Sequence, residues 1–492
     1  MIMKAGKLKK SFVSYSCASV FHLFLLPILV AACFFSLGGQ ADALSSTFSA
    51  KSYSPELDKG SGPRLSVFLN FKNRAGEEPR MELAALEVLA NDTWLPLTSG
   101  PLTVDSAAAG GTGQMFLARR IVPAGDYQSL RITISSVARK GGGLLPALEQ
   151  PVVTMPLGKD VRIGENDSAS LFITWDVEAS LRGATGFAPV LHATFEPFHM
   201  TTDLAFVSCS DINTVYILRT DLNWVTGSFG VPGRPTCLSV DSANGRLYIL
   251  AEQDAAIHLF EIPSMRPLDR FHISLLRDPG YMSISKDGLY AFILDERANY
   301  LVRMDLSTGE IVARVRIGQS PGFVLCLSEH NWLAVSSALT HSVFLLDDRT
   351  LDTVLEIPVN SEPQGMVVYE NNLYITEKTT GMVAVYDMLE RRISNRFQVG
   401  FSPIRALLGD ENIYIANYDS GSVSIMVPGQ FVAQGEIPVG RNPREMAYVR
   451  NRRWIYIGVE ASGSLTVLDS TVNRQVGSIE LAAKPLGLAV YE

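Results

Sequence analysis

From residue 64 onward hydrophobic and polar positions alternate in short runs, and apolar residues almost never recur at helical spacing. After residue 203 the runs acquire a longer period. A proline ends a glycine-rich or polar turn at positions 235, 279, 321, 363, 403, 443 and 485, at intervals of 44, 42, 42, 40, 40 and 42 residues. Strand-like runs fill each interval; after Pro363 they read GMVVY, NLYITEK, MVAVYD and ISNRFQVG. A period near 40 with four short strands per repeat predicts a β-propeller, each repeat supplying one blade around a central channel. Six units lie between the prolines. Three runs before Pro235 (LAFVSCS, TVYILR, WVTGSFG) and one after Pro485 (LGLAVYE) make a seventh, in which the C-terminal strand is innermost and closes the ring.

The preceding segment alternates without the period. RLSVFLNF, MELAALEVL, QMFLARRIV, LRITISSV, VVTMPL, SLFITWDV and PVLHATFEPF are separated by turn clusters such as NRAGEEP and ARKGGG. Short strands at this density predict an antiparallel β-sandwich. The fold class expected is therefore all-β, with a sandwich over 64–198 and a seven-bladed propeller over 203–492.

Several short motifs carry resemblances. Tyr374-Ile375-Thr376-Glu377 and Tyr414-Ile415-Ala416-Asn417, the strand Val383 to Asp387 and the turn Val399 to Pro403 resemble the repeat of YVTN-type propellers, a superfamily that includes lactonases. Trp94-Leu95-Pro96-Leu97, Pro123-Ala124-Gly125-Asp126-Tyr127, Leu130 to Ile134 and Ile173-Thr174-Trp175-Asp176 resemble an uncharacterised domain family of exported bacterial proteins, many of them lipoproteins. The first resemblance implies the propeller and the second an exported sandwich. Neither implies a chemistry.

The N-terminus adds a location. Lys4, Lys7, Lys9 and Lys10 precede the apolar run Phe21 to Leu37, the basic and apolar regions of an export signal over 1–43. Val30-Ala31-Ala32-Cys33 fits a lipobox with Cys33 as the lipidation candidate, and Ala41-Asp42-Ala43 fits ordinary signal peptidase, so both exits stand. A Ser/Ala-rich stretch over 44–63 reads as a flexible tether. These features predict an exported protein, in the periplasm, anchored at the outer membrane or on the cell surface. Its membrane contact is through the signal or lipid anchor alone.

The whole chain of 492 residues carries a net charge of −8, and removal of 1–43 leaves 38 basic against 49 acidic residues. An acidic chain without a basic stripe excludes nucleic acid as the expected partner. Beyond the signal only Cys209, Cys237 and Cys326 remain, without CxxC or CxxCH spacing, so neither a disulfide framework nor a haem site is expected. Gly318-Gln319-Ser320-Pro321-Gly322 matches G-x-S-x-G, but the strand that follows replaces the helix a nucleophile elbow needs.

Alignment of the second strands of the blades brings one turn position into a ring: Cys209, Glu252, Asp295, Ser337, Glu377, Asn417 and Glu460. Carboxylates converging on a channel suit a hard cation such as Ca²⁺ or acid–base work, and solvated turn residues are the plain alternative. Arg234, Arg405 and Arg444 sit in blade-to-blade loops on the same face, where they either pair with the acids or hold an anionic ligand. The ligand-binding candidates are thus Glu252, Asp295, Glu377, Asn417, Glu460, Arg234, Arg405 and Arg444, with no catalytic residue assigned and no cofactor expected besides the possible Ca²⁺. The function expected is an exported binding or scaffold protein whose propeller face recognises a protein, glycan or small ligand. The alternative is a lactonase-like hydrolase using the ring carboxylates.

Overall fold

The computed structural model describes residues 58, 60–72, 79–105, 112–139, 143, 145, 148, 150–182, 186–195, 203–274 and 276–492. The export signal, Cys33 and most of the tether lie outside them. Among the described residues no helix is long and apolar enough to cross a membrane.

Seven four-stranded antiparallel sheets form the propeller. Blades 2 to 7 each run outward from an inner strand that opens on a repeat proline: Pro235–Asp241, Pro279–Ile284, Pro321–Leu327, Pro363–Tyr369, Pro403–Leu408 and Pro443–Val449. Blade 1 is composite. Its inner strand Gly487–Tyr491 pairs antiparallel with Leu204–Cys209, Tyr491 opposite Leu204, and Thr214–Arg219 and Trp224–Gly230 complete it. The C-terminal strand therefore closes the ring, as the proline period predicts.

Alternation along each strand buries apolar side chains between neighbouring blades. Leu373, Ile375 and Ala384 of blade 5 pack with Leu345 and Ile357 of blade 4, and Ile413 and Ile415 of blade 6 with Val383 and Val385 of blade 5. A second-strand tyrosine adds a polar tie at three of these junctions. Tyr374 accepts from the Gly429 amide of blade 6 at 3.1 Å, Tyr414 donates to Asn473 Oδ1 of blade 7 at 2.9 Å, and Tyr456 donates to Asn223 Oδ1 of blade 1 at 2.5 Å. Each hydroxyl spends its polarity on the outer turn of the next blade, so burial of the ring costs no unmet hydrogen bond there.

The seven strand-like runs of the N-terminal segment form the two faces of the sandwich, with two short strands besides. One sheet holds, in order, Leu191–Thr194, Ser168–Asp176, Arg64–Lys72 and Gln114–Ile121. The other holds Thr93–Pro96, Arg80–Ala90, Gly125–Ala138 and Val152–Ile163, with Leu102–Asp105 also paired to Arg80–Ala90. One pair departs from the antiparallel rule: Arg64–Lys72 and Ser168–Asp176 run parallel. Trp175 and Tyr127 are fully buried in this core, and Tyr127 closes its own Pro-Ala-Gly-Asp-Tyr turn by donating to the Pro123 carbonyl at 2.6 Å.

The outward face of the first sheet is not solvent-facing but docked on the propeller. Phe68, Phe116 and Phe172 form one apolar cluster with Tyr216 and Val225 of blade 1 and Val467 and Leu481 of blade 7. Ser66 and Tyr216 hydroxyls meet at 3.0 Å, and Ser168 and Thr214 at 2.7 Å. At the edge of this contact Asp58 is buried between Arg64 (3.1 Å) and Arg119 (2.6 Å). Arg119 also donates to the Leu481 and Ala482 carbonyls at 3.2 and 2.8 Å, in the loop that leaves blade 7. Asp58 is thereby held in place, because a carboxylate taken out of water keeps both of its guanidinium partners; residues 44–57 of the expected tether lie outside the described residues.

Candidate functional site

The site begins with a repeated piece of backbone. Six of the seven repeat prolines stand opposite the last residue of the neighbouring strand: Pro235 opposite Ala251, Pro279 opposite Asp295, Pro321 opposite Ser337, Pro363 opposite Glu377, Pro403 opposite Asn417 and Pro443 opposite Val459. Side chains at this position turn back into the blade and satisfy the incoming loop. Asp295 accepts from the amides of Arg277 (2.7 Å), Asp278 (3.4 Å) and Ala298 (2.8 Å). Ser337 accepts from the Gln319 amide at 2.8 Å. Glu377 accepts from the Asn360 amide at 2.9 Å and pairs with Arg396 at 3.2 Å. Asn417 donates to Ser424 Oγ at 2.8 Å and Ser422 Oγ at 3.2 Å. The glycine of the Val-Gly-x-x-Pro turn makes room for this side chain: a Cβ on Gly400 would stand 2.6 Å from Asn417 Nδ2.

Asp295, Glu377 and Asn417 are all 0% exposed, so the expected ring is corrected. Asp295, Ser337 and Glu377 are buried loop braces, Asn417 ties to two serine hydroxyls of the next strand, and Cys209 packs in the apolar cluster of blades 1 and 7. Glu252 and Glu460 belong to a different ring, one residue further along.

That next residue is Ser210, Glu252, Glu296, Ala338, Lys378, Tyr418 and Glu460 around the seven blades, and all seven line one cavity of about 860 Å³ on the channel axis. Its place is fixed by the backbone. The amides of Glu252, Ala338, Lys378, Tyr418 and Glu460 donate to the carbonyls of Arg234, Ser320, Glu362, Ser402 and Asn442, at 2.9–3.1 Å. Those acceptors precede the repeat prolines, and Arg234, Ser320, Ser402 and Asn442 take positive φ to reach them. One-residue alternation then separates a structural set from an accessible one.

The first two positions of the inner strands supply the rest. Arg405 and Tyr281 stand together, both half-buried. The Arg405 guanidinium pairs with Glu445 at 3.0 Å, donates to the Ile404 carbonyl at 3.0 Å, and stands 5.2 Å from the Tyr281 ring centroid and 5.1 Å from that of Phe323. Burial works against its charge, but the Glu445 carboxylate together with Tyr281 and Cys237 outweighs burial and holds its pKa above the ordinary value. Arg444 pairs with Glu460 at 3.0 Å, whose second oxygen accepts from Tyr418 at 2.9 Å. Arg234 stands 3.5 Å from Glu252, Lys378 is 3.7 Å from Glu362, and Arg297 lies 2.6 Å from Asp278. Glu296 accepts from the Ser320 hydroxyl at 2.6 Å.

Two acids of the wall, Glu252 and Asp211, are shifted upward. Burial raises the Glu252 pKa first, a hydrogen bond with the Asp278 carboxyl raises it further, and Arg234 pulls it back. Asp211, also lining the cavity, is raised by burial and lowered in part by Arg119 of the sandwich. Two carboxyl groups in hydrogen-bond contact form an arrangement able to bind a cation or to move a proton.

Five of the eight predicted ligand-binding residues, Glu252, Glu460, Arg234, Arg405 and Arg444, thus meet in one cavity, and three do not. The alignment missed Asp278, Tyr281, Glu296, Lys378 and Glu445. The signal for the register was present in the tyrosines: three residues past Tyr248 or Tyr456 comes Ala251 or Val459, not the glutamate that follows. Among the described residues no three His, Cys, Asp or Glu side chains cluster as a metal site. Phe401, in the loop ahead of blade 6, is 73% exposed and outside the cavity lining. Ser320 of the G-x-S-x-G match leads into the inner strand of blade 4, as the sequence predicts.

No protein family profile matches the chain, and no curated protein is similar to it in sequence. Solved structures are similar in fold. The periplasmic gluconolactonase of Pseudomonas aeruginosa aligns with a TM-score of 0.51 at 16% identity, over 59% of this chain and 99% of that one. A proposed 6-phosphogluconolactonase of Bacteroides fragilis aligns with a TM-score of 0.52 at 12% identity, over 60% and 100%. A protein of unknown function from Desulfotomaculum acetoxidans gives 0.52 at 10%, over 59% and 99%. At these identities the likeness establishes the propeller fold and nothing about the site.

Proposed function

We propose that this is an exported binding protein whose propeller holds a small polar ligand in the channel-mouth cavity. The observation that carries the reading is the cavity itself. All seven blades line about 860 Å³ of open space, and six of them bring charged or hydrogen-bonding side chains to it, within the size range of small-molecule sites. Most of these groups are already braced by a neighbour, so the site is preorganised and little ordering cost falls on binding. The test is a thermal-shift screen of sugar acids, polyols, amino acids and short peptides against the wild type and a Glu252→Gln/Arg444→Gln variant. A ligand that stabilises the wild type and not the variant is expected; a screen in which no compound separates the two proteins sinks the reading.

A second reading has one observation behind it. Burial, and after it the hydrogen bond with Asp278, raises the Glu252 pKa, the direction a general base or acid working near neutral pH requires. Two of the similar folds are described as lactonases. On this reading Glu252 activates water against a lactone carbonyl. Proton release from δ-gluconolactone at the uncatalysed rate removes it.

Export completes the proposal. The basic and apolar stretches over 1–43, and the resemblances to YVTN-type repeats and to exported lipoprotein domains, support a mature chain starting at Cys33 or at Leu44. Intact mass of the protein from its native host tells these apart. A chain that retains Met1 removes both.

A further inference from the structure

We propose that the cavity is shaped for a zwitterion, a short peptide that presents its free ammonium group to one wall and its free carboxylate to the other. This rests on the cavity being the ligand site. The charged side chains are not mixed evenly around the ring. Glu252, Asp278 and Glu296 outnumber Arg234 on the wall of blades 2 and 3, while Lys378, Arg405 and Arg444 outnumber Glu445 and Glu460 on the wall of blades 5 to 7. In a ring of seven, blade 2 stands opposite blades 5 and 6, and blade 3 opposite blades 6 and 7.

Between the walls the sequence removes side chains. Blade 4 offers Gly322 and Ala338, and blade 3 offers Gly280 at the same inner-strand position as Gly322. A Cβ built on Gly280 would meet nothing within 4 Å, and one on Gly322 only the Gln364 amide oxygen at 4.0 Å. That space lets one molecule reach both walls.

The two walls differ in how their charges are met. Each cation of the basic wall already has a carboxylate: Lys378 has Glu362, Arg405 has Glu445 and Arg444 has Glu460. It therefore attracts a carboxylate by fixed N–H donors rather than by excess charge. On the acidic wall Glu252 and Asp278 hydrogen-bond to each other, with Arg234 and the outward-lying Arg297 as their cations, and Glu296 takes only a hydroxyl. An ammonium, with three donors, relieves that crowding, and no metal-ligand cluster competes for it among the described residues. Asp211 and Lys484 of blade 1 are both on the rim and offset each other. An extended tripeptide spans about 10 Å between its termini, a length suited to a site across a channel rather than to a pocket in one blade.

The experiment is isothermal titration of the full mature chain with trialanine, N-acetyl-trialanine, trialanine amide, gluconate and putrescine. Trialanine is expected to bind at least about tenfold more tightly than either blocked peptide, which is about 1.4 kcal/mol. Glu296→Gln should abolish the preference for the free amine, and Arg444→Gln the preference for the free carboxylate, both at unchanged thermal stability. Blocked peptides that bind as tightly as trialanine overturn the proposal. Gluconate or putrescine binding without any peptide binding overturns it too, while leaving the cavity as a ligand site. Silence from all five probes overturns the zwitterion, and the broader screen then decides the ligand site separately.

Discussion

A single residue step decides the role of an acid in this ring. Asp295 and Glu296 are neighbours in sequence, yet one is a buried acceptor for three amides and the other faces the cavity. Removal of a buried acceptor strands its donors, at about 1–3 kcal/mol for each group left unsatisfied. Asp295→Ala is therefore expected to cost about 2–4 kcal/mol in urea denaturation, whereas Glu296→Gln should change stability by less than about 0.5 kcal/mol. Equal losses would show that the two positions are not distinct. Glu252 predicts a pH effect of definite sign. Its folded pKa is raised above the ordinary 4.5, so between those two values the native state holds more proton than the unfolded chain. Stability contributed by this group is present at low pH and declines as pH rises through the window. Denaturation across a pH series should show Glu252→Gln gaining on the wild type over that window, with no further change above it; a constant difference at all pH values contradicts the assignment.

At the scale of elements, the period of the prolines made the blades legible, because every blade meets the same two neighbours and so repeats the same apolar alternation. The seven strand runs of the sandwich were legible for the same local reason. What was not legible depends on distant partners. Whether Arg64–Lys72 pairs parallel or antiparallel is set by Ser168–Asp176, about a hundred residues away, and neither strand's own pattern differs between the two. The ring slipped by one residue in blades 2 and 7 because Ala251 and Val459 occupy the brace position without a polar side chain, which drew the eye to the glutamate beyond. The docked face of the sandwich was hidden as well: Phe68, Phe116 and Phe172 read as ordinary strand residues until blades 1 and 7 are set against them. The Asp58 clamp gives this contact a test. Breaking one partner of a buried ion pair costs about 3–5 kcal/mol, so Asp58→Ala should lower stability by about that amount. Hydrogen exchange should quicken first in Leu204–Cys209 and Gly487–Tyr491, the strands of the blade that the sandwich covers. Unchanged exchange there would mean that the clamp serves the sandwich alone.

Over the whole molecule, the sandwich and the ring closure occupy one place. The aromatic face of the sandwich lies across blades 7 and 1, the one junction where the blade is assembled from both ends of the propeller sequence. Removal of residues 487–492 would leave the inner edge of Leu204–Cys209 unpaired beside an open channel. The truncated chain is expected to self-associate, and size exclusion of it against the full chain is the measurement; a stable monomer of native compactness would show that six blades and a fragment can stand alone. The same junction sets an order of events during synthesis. Leu204 emerges from the ribosome some 287 residues before Tyr491, its partner in the sheet, so the last pairing to form is also among the most distant in the chain, the slow kind of contact. The sandwich strands are all made before the first blade is complete. Its three phenylalanines are thus available as a ready surface on which Thr214–Arg219 and Trp224–Gly230 can wait in place, shielded from other chains, until the final strand arrives.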